Sequence, residues 1–287
     1  MSTKRSGQRP ATSDNVALGL YTYAEFASCV AVFLPIMGVQ WLRHRGDLTQ
    51  RVPGQWMRRF ARVTSSLTPI WSFSTEGSPP ADIHRAAYMV VANHESTADP
   101  FLLSHLPWDM RWVGKEELFK MPVLGWMMKF GGDIPLRRGE KNSVLEMLDE
   151  CLRTLRAGMS VMMFPEGTRS KDAELLPFKP GAFELAIRAG VPVLPVALAG
   201  THSCRPKGSK WFGRARAIAK VLPPVSTEGL TVEDAPALAA RVRELIAAEL
   251  PALRARTGIV EELPGAAQAA RIGSTSTAAS PPSAATA

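Results

Sequence analysis

Between residues 87 and 221, short apolar runs alternate with helical stretches, and this alternation constrains the chain more than any other feature. The runs 87–92 (AYMVVA), 111–114, 133–136, 161–164, 193–199 and 215–221 have the length and side chains of strands. Helical stretches lie between them: one opening at Asp99-Pro100, one over 122–130, one over 141–157 closed by Gly158, and one over 181–189 closed by Gly190. Proline just inside a start and glycine just past an end are the punctuation helices favour. Strands separated by helices bury both sheet faces under helical layers, so the pattern predicts an α/β domain. A last helix over 236–250 places Leu238, Val242, Leu245 and Ile246 on one face.

The turn after the first of these strands reads Asn93-His94-Glu95-Ser96-Thr97-Ala98-Asp99-Pro100. A histidine and an aspartate five residues apart point about 140° away from each other on a helix and to opposite faces of a strand, so they meet only across a turn. A strand ending near Asn93 and a helix opening at Asp99-Pro100 supply one, with Asp99 at the N-cap or in the first turn. There Asp99 can accept a hydrogen bond from one imidazole nitrogen, fix the tautomer and leave the other nitrogen as a general base. The plainer alternative has Asp99 capping its helix and His94 on the surface. No metal is expected: the second histidine of an HExxH zinc site would fall at Ala98, and no spacing selects His94, Asp99 and His105 as a facial triad.

Two further loops follow strands. Phe164-Pro165-Glu166-Gly167-Thr168-Arg169-Ser170 brings a hydroxyl and an arginine to a strand end, a combination that can cradle an anion with bidentate donors. Gly131-Gly132-Asp133-Ile134-Pro135-Leu136-Arg137-Arg138 offers glycines that admit a close backbone approach and two arginines that can meet a phosphate, with a solvated turn as the alternative. Lys115, beyond Trp112-Val113, adds a positive charge that alone reads as a surface lysine. The motifs GxxxxGK[ST], GxGxxG and GxSxG do not occur, so nucleoside triphosphate, dinucleotide and serine-hydrolase readings lose their usual support.

Upstream lies an apolar run, 16–42, whose single formal charge is Glu25. It is longer than the roughly 20 residues a bilayer span takes, but a carboxylate at mid-bilayer costs about 2.5–3.5 kcal/mol and Pro35 interrupts the segment. A bent or re-entrant helical pair in one leaflet therefore competes with a single span, and a buried helix of a soluble core is the third reading. A cleaved signal peptide is disfavoured, because the run exceeds the usual apolar core of about 7–15 residues and no A-x-A site follows. Next come Arg43, Arg45, Arg51, Arg58, Arg59 and Arg62 against the single acid Asp47, interleaved with Trp41, Trp56 and Phe60. Cations and aromatics beside an apolar run suit a membrane headgroup zone.

The charge sum points the same way. Of the net +8, residues 1–62 carry nine Lys+Arg and three Asp+Glu, a surplus of +6, leaving +2 for the rest. No zinc-finger, RNP or homeodomain pattern accompanies the basic stretch, so nucleic acid is not an expected partner. With 46% hydrophobic and 21% charged residues, a wholly disordered chain is excluded. Cys29, Cys151 and Cys204 form no CxxC pair, encode neither a disulfide framework nor a cysteine zinc site, and fit a reducing compartment.

Four segments in order resemble the glycerolipid acyltransferase family, in particular the 1-acylglycerol-3-phosphate acyltransferases: NHESTAD (93–99), GGDIPLRR (131–138), FPEGTRS (164–170) and VPVLPVAL (191–198). The resemblance covers about 85–200 and implies a single α/β acyltransferase domain, with a mixed, largely parallel sheet flanked by helices, preceded by an N-terminal membrane-associated helical segment. Around the acyltransferase domain, expected over 63–258, composition and charge predict a flexible polar N-terminus (1–15), the membrane-associated segment (16–62) and, in the Ala-, Ser-, Thr- and Pro-rich stretch 259–287, a disordered tail. The resemblance implies His94 as general base and Asp99 as its orienting partner. Lys115, Arg137, Arg138, Glu166, Gly167, Thr168 and Arg169 are its implied substrate-binding residues. Lysophosphatidic acid, acyl-CoA or acyl carrier protein, and anionic membrane lipids are the implied partners, with no cofactor beyond the acyl donor and a place at the cytoplasmic face of the cell membrane. Pro135 stands where the family often has an aromatic residue. Another lysolipid acceptor, such as a lyso-ornithine lipid, and a non-catalytic membrane-surface protein are the competing expectations.

Overall fold

The computed structural model describes residues 13–137, 139–170, 172–205 and 212–257. Residues 1–12 of the expected flexible N-terminus 1–15, Arg138 and the expected tail 259–287 lie outside the described residues. Two helices come first, α1 (Ser13–Arg43) and α2 (Arg51–Leu67), followed by strand β1 (Trp71–Glu76). The chain then runs β2 (Met89–Ala92), α3 (Asp99–Leu103), β3 (Met110–Lys115), α4 (Glu116–Phe119), α5 (Leu124–Phe130), β4 (Ile134–Leu136) and α6 (Lys141–Arg156). It ends with β5 (Ser160–Met163), α7 (Gly181–Ala189), β6 (Val193–Ala199), β7 (Ala215–Val221) and α8 (Ala235–Thr257).

The strands form one sheet in the order β1-β7-β6-β2-β5-β3-β4, parallel throughout except where β6 meets β7. All six sequence-expected strands are present; β1 is an addition at the sheet edge. Side chains on β2 alternate between two cores, as a period of two requires. Met89 and Val91 join Phe183, Leu185, Val242 and Ile246 beneath α6, α7 and α8, while Val90 and Ala92 join Leu102, Leu103 and Trp108 under α3. Pro195 is tolerated inside β6 because its missing N–H falls between the β7 ladder, which starts at Val196, and the separate bridge from Val193 to Val225.

Helix α8 runs seven residues beyond the expected end at Leu250, continuing through Pro251. Its buried stripe is Leu238, Val242, Ile246, Leu250 and Leu253, which leaves Leu245 at the margin and 39% exposed.

Helices α1 and α2 pack as an antiparallel hairpin with its own core. Phe26 and Phe33 meet Phe60 with ring centroids 5.5 and 5.8 Å apart, and Cys29, Met37 and Met127 complete the cluster. Pro35 does not break α1, which is continuous. Contact with the domain extends along the helix: Phe26 lies 6.3 Å from Phe101, and Trp41 lies 5.4 Å from Phe130. Glu25 points into the hairpin, accepting from Thr68 Oγ1 at 3.1 Å. Away from that core α1 exposes Leu20, Val32, Val39 and Leu42, along with Tyr21, whose hydroxyl reaches the Leu67 carbonyl, and Tyr23, whose ring lies 5.6 Å from Phe212. By length and composition Ala17–Arg43 can cross a membrane.

Candidate active site

The site lies where β2, β5 and β6 end, at the carboxyl edge of adjacent parallel strands, the edge at which α/β sheets present their functional loops. β2 stops at Ala92, and Asn93 fastens the following turn to β6 by donating to the Leu198 carbonyl at 2.8 Å and accepting the Leu198 N–H at 2.7 Å. Across this turn His94 Nδ1 lies 2.6 Å from Asp99 Oδ2. The same oxygen accepts the N–H groups of Glu95 and Ser96 at 2.9 and 3.0 Å, while Oδ1 accepts the Thr201 hydroxyl. Asp99 is fully buried, and four donors are what make that burial tolerable. It occupies the first turn of α3 but caps nothing there; its carboxylate reaches back into the turn.

Committed to a carboxylate through Nδ1, the imidazole donates on that side and leaves the Nε2 lone pair open. The His94 side chain is 19% exposed. Phe164, at the end of β5, stacks on the ring at 4.0 Å with 15° between planes. The backbone is held on both sides, its N–H donating to Glu166 Oε1 at 2.8 Å and its carbonyl accepting the Ser170 N–H at 2.9 Å. Glu166 Oε2 accepts the Leu176 N–H at 3.3 Å, so both carboxyl oxygens meet main-chain amides. Burial pushes this carboxyl up to about 7.

Past Glu166 the loop turns outward. Gly167 adopts φ +70°, and a Cβ there would come within 3.0 Å of Lys179 Nζ, so the lysine stem crosses the glycine. Thr168, Arg169 and Lys179 are exposed, and neither cation has an ion-pair partner among the described residues. No local pattern in the sequence singles out Lys179; it precedes α7 by two residues and reaches the site through its N–H bond to the Pro165 carbonyl at 2.9 Å.

The remaining sequence candidates stand farther along the same edge. With strands about 4.8 Å apart and β5 between β2 and β3, the end of β3 is about 10 Å from that of β2. Lys115 ends β3 and pairs with Glu117 at 3.1 Å. Arg137, beyond β4, donates to Glu116 at 2.5 and 2.6 Å and to Glu140 at 2.5 Å. Hydrogen bonding from Arg137 holds the Glu116 carboxyl down at about 2. The neighbouring glycines face the hairpin: a Cβ on Gly131 would meet Met57 Cβ at 3.0 Å, and one on Gly132, where φ is +74°, would meet Gln50 Cβ at 2.5 Å. The close approach expected of them is to α2 and its lead-in. Arg111 reinforces that contact, donating to the Gly132 carbonyl at 2.6 Å and to Glu150 at 2.7 Å.

Residues 76–199 match the family model described as Acyltransferase. A chloroplastic 1-acyl-sn-glycerol-3-phosphate acyltransferase of Brassica napus is 38% identical over 145 residues, 50% of this chain and 42% of that protein. The 1-acyl-sn-glycerol-3-phosphate acyltransferase alpha of Homo sapiens is 37% identical over 158 residues, 54% of this chain and 56% of that protein. The chain thus spans about half the length of the curated relatives it matches. The crystal structure of the 1-acyl-sn-glycerophosphate (LPA) acyltransferase PlsC from Thermotoga maritima superposes with a TM-score of 0.67 at 28% identity, covering 84% of this chain and 96% of that one.

Proposed function

We propose, from the premise that residues 76–199 are an acyltransferase-family domain, that this protein moves a fatty acyl group from a thioester to the sn-2 hydroxyl of 1-acylglycerol-3-phosphate, giving phosphatidic acid. The donor is acyl-CoA or acyl carrier protein, and no other cofactor is needed. The observation that carries the reading is the 2.6 Å contact between His94 Nδ1 and buried Asp99, which leaves Nε2 as a partly exposed proton acceptor. His94 takes the proton of the acceptor hydroxyl as its oxygen bonds to the acyl carbon; the C–S bond then breaks and the departing thiolate recovers the proton from His94. Phe164 and the two backbone bonds at His94 fix the ring, so little orientation is left to be found at the moment of reaction.

The acceptor phosphate fits best against Arg169 and Lys179, whose charges stand free beside the base. Thr168 and Gly167 complete that loop, Glu166 braces it from beneath, and Lys115 stands farther along the same edge. Arg137 serves only after leaving its glutamates. Because α1 lies against the domain along its length, its exposed apolar side suits seating in one leaflet, with Arg43, Arg45 and Arg59 at the level of anionic headgroups on the cytoplasmic side.

Thiol release from acyl-CoA in the presence of a lysolipid panel tests the reading. Lysophosphatidate should be the preferred acceptor, and His94→Ala should lose about 10²–10⁴-fold in kcat while keeping its fold. Near-normal turnover by folded His94→Ala would remove the base, preference for a lyso-ornithine lipid or another lysophospholipid would replace the acceptor, and no thiol release by the wild type would leave a binding protein.

A further inference from the structure

On the buried side of the His94–Asp99 pair, two carboxyl groups share one hydroxyl. Thr201, just after β6, is fully buried, and its Oγ1 touches Asp99 Oδ1 and lies 3.3 Å from Glu95 Oε2. Glu95 is 4% exposed, and its Oε1 is buried without a hydrogen-bond partner among the described residues. A threonine hydroxyl has a single proton to give. The closer contact assigns that proton to Asp99, so toward Glu95 the Thr201 oxygen can only accept. A carboxylate on Glu95 would face a lone pair at Thr201 and keep Oε1 without a donor, whereas a carboxylic acid donates from Oε2 and suits the site.

We propose that Glu95 is a carboxylic acid in the folded protein and that Glu95, Thr201 and Asp99 form a positioning relay that sets the basicity of His94. Glu95 donates to Thr201, Thr201 to Asp99 Oδ1, and His94 Nδ1–H to Asp99 Oδ2. The relay rests on the reading of His94 as general base. The charged or titratable groups around Glu95 are His94 and Asp99 from its own turn, Arg254 from α8, and His202 and Cys204 from the turn after β6. Burial dominates and, with the Asp99 charge, pushes the Glu95 carboxyl up to about 8; Arg254 and the His202 N–H pull it the other way. Arg254 is itself engaged by the Ala173 carbonyl. Neither Glu95 nor Thr201 meets substrate in this scheme. Each donor that Asp99 accepts draws on its negative charge and so moderates its pull on the imidazolium; losing the Thr201 donor strengthens that pull.

The test is the pH dependence of kcat/KM for thiol release by the full chain, with lysophosphatidate and acyl-CoA, joined to infrared spectra of the same proteins. Thr201→Val should move the acid limb upward by about 0.5–1 pH unit, equivalent to about a 3- to 10-fold loss below the limb. Thr201→Ser, which keeps the hydroxyl, should return the limb to its wild-type position. Glu95→Gln, a neutral donor of the same shape, should leave the limb in place and remove one carboxylic-acid carbonyl band from the infrared spectrum. A limb unmoved in folded Thr201→Val, a limb lowered in Glu95→Gln as loss of a negative charge requires, or no acid band lost in Glu95→Gln would each overturn the relay. If Thr201→Val does not fold, the two Glu95→Gln readouts decide. His94→Ala separates the two levels: activity retained there defeats the base assignment, whereas activity lost there with the limb unmoved in Thr201→Val defeats only the relay.

Discussion

The turn at 93–99 and the segment at 131–137 follow strands at the same edge of the sheet, and each offers charged residues, yet they are built in opposite ways. In the turn the charges are inside: Asp99 is fully buried, held by two backbone amides and a hydroxyl, and its imidazole partner opens toward solvent. In the segment the backbone is inside, with Gly131 and Gly132 against Met57 and Gln50, while Arg137 is exposed and already holds two glutamates. A desolvated group with a fixed partner is prepared for chemistry. A guanidinium that holds two carboxylates must give them up before it binds anything else.

Removing the fixed partner should break the contrast most severely. Asp99→Asn preserves shape but loses the charge that orients and supports the imidazolium, and kcat should fall by about 10²–10⁴-fold with thermal unfolding little changed. A loss below about threefold in steady-state turnover would make the turn no more catalytic than the glycine segment.

The two regions respond alike to pH in stability and differ in rate. Burial lifts both Glu166, beneath the turn, and Asp133, in the segment, to about 7. A carboxyl raised on folding contributes stability that is complete below its unfolded value near 4 and is lost as pH rises through about 7. Unfolding free energy should therefore decline between about pH 4 and 8, with about 1–3 kcal/mol from each group. In denaturant titrations Asp133→Asn should flatten part of this slope without moving the pH–rate profile, whereas Glu166→Gln should alter both because Glu166 holds the His94 amide. If Asp133→Asn moved the rate profile too, the segment would belong to the reacting site.

Much of this contrast was legible in the chain. The His94-to-Asp99 interval admits only a turn, and the alternation of strands and helices supplied it, so the pair could be placed without coordinates. The carboxyl edge of β2, β5 and β6 collects residues far apart in sequence, and here spacing fails: Thr201 sits 102 positions from Asp99. Lys179 carries no local signal for the same reason, since only the fold lays its stem across Gly167. The sequence marks β1 weakly although Trp71 and Phe73 alternate with serines, because an edge strand with a half-exposed face lacks the continuous apolar run of β2 or β6. The glycines at 131–132 announce a close approach, but their neighbour is the hairpin, and nothing local names a partner some 80 residues upstream.

Those glycines offer a structural break of intermediate size. Gly132→Ala combines φ +74° with a Cβ 2.5 Å from Gln50 Cβ, both of which the backbone must relieve. Unfolding by urea should show a loss of about 1–3 kcal/mol, while kcat per folded molecule stays near wild type. Unchanged stability would mean that the hairpin does not seat against this segment as tightly as its geometry indicates.

The gentlest perturbation bears on whether Arg137 works with substrate at all. Its exposed guanidinium is divided between the partly buried Glu116 and the exposed Glu140, and an ion pair as exposed as the latter is weak and salt-screened. If Arg137 contacts the acceptor phosphate, the glutamates compete for the same donors, and Glu140→Gln should relax that competition. The apparent KM for lysophosphatidate should then fall by about two- to fivefold at low ionic strength and by less at high salt, with kcat unchanged. Arg169→Ala, by contrast, should raise the same KM, because that side chain has no carboxylate to leave among the described residues. A KM indifferent to Glu140→Gln at every salt concentration would confine Arg137 to tying α4 to the start of α6 and leave phosphate recognition to the cations beside His94.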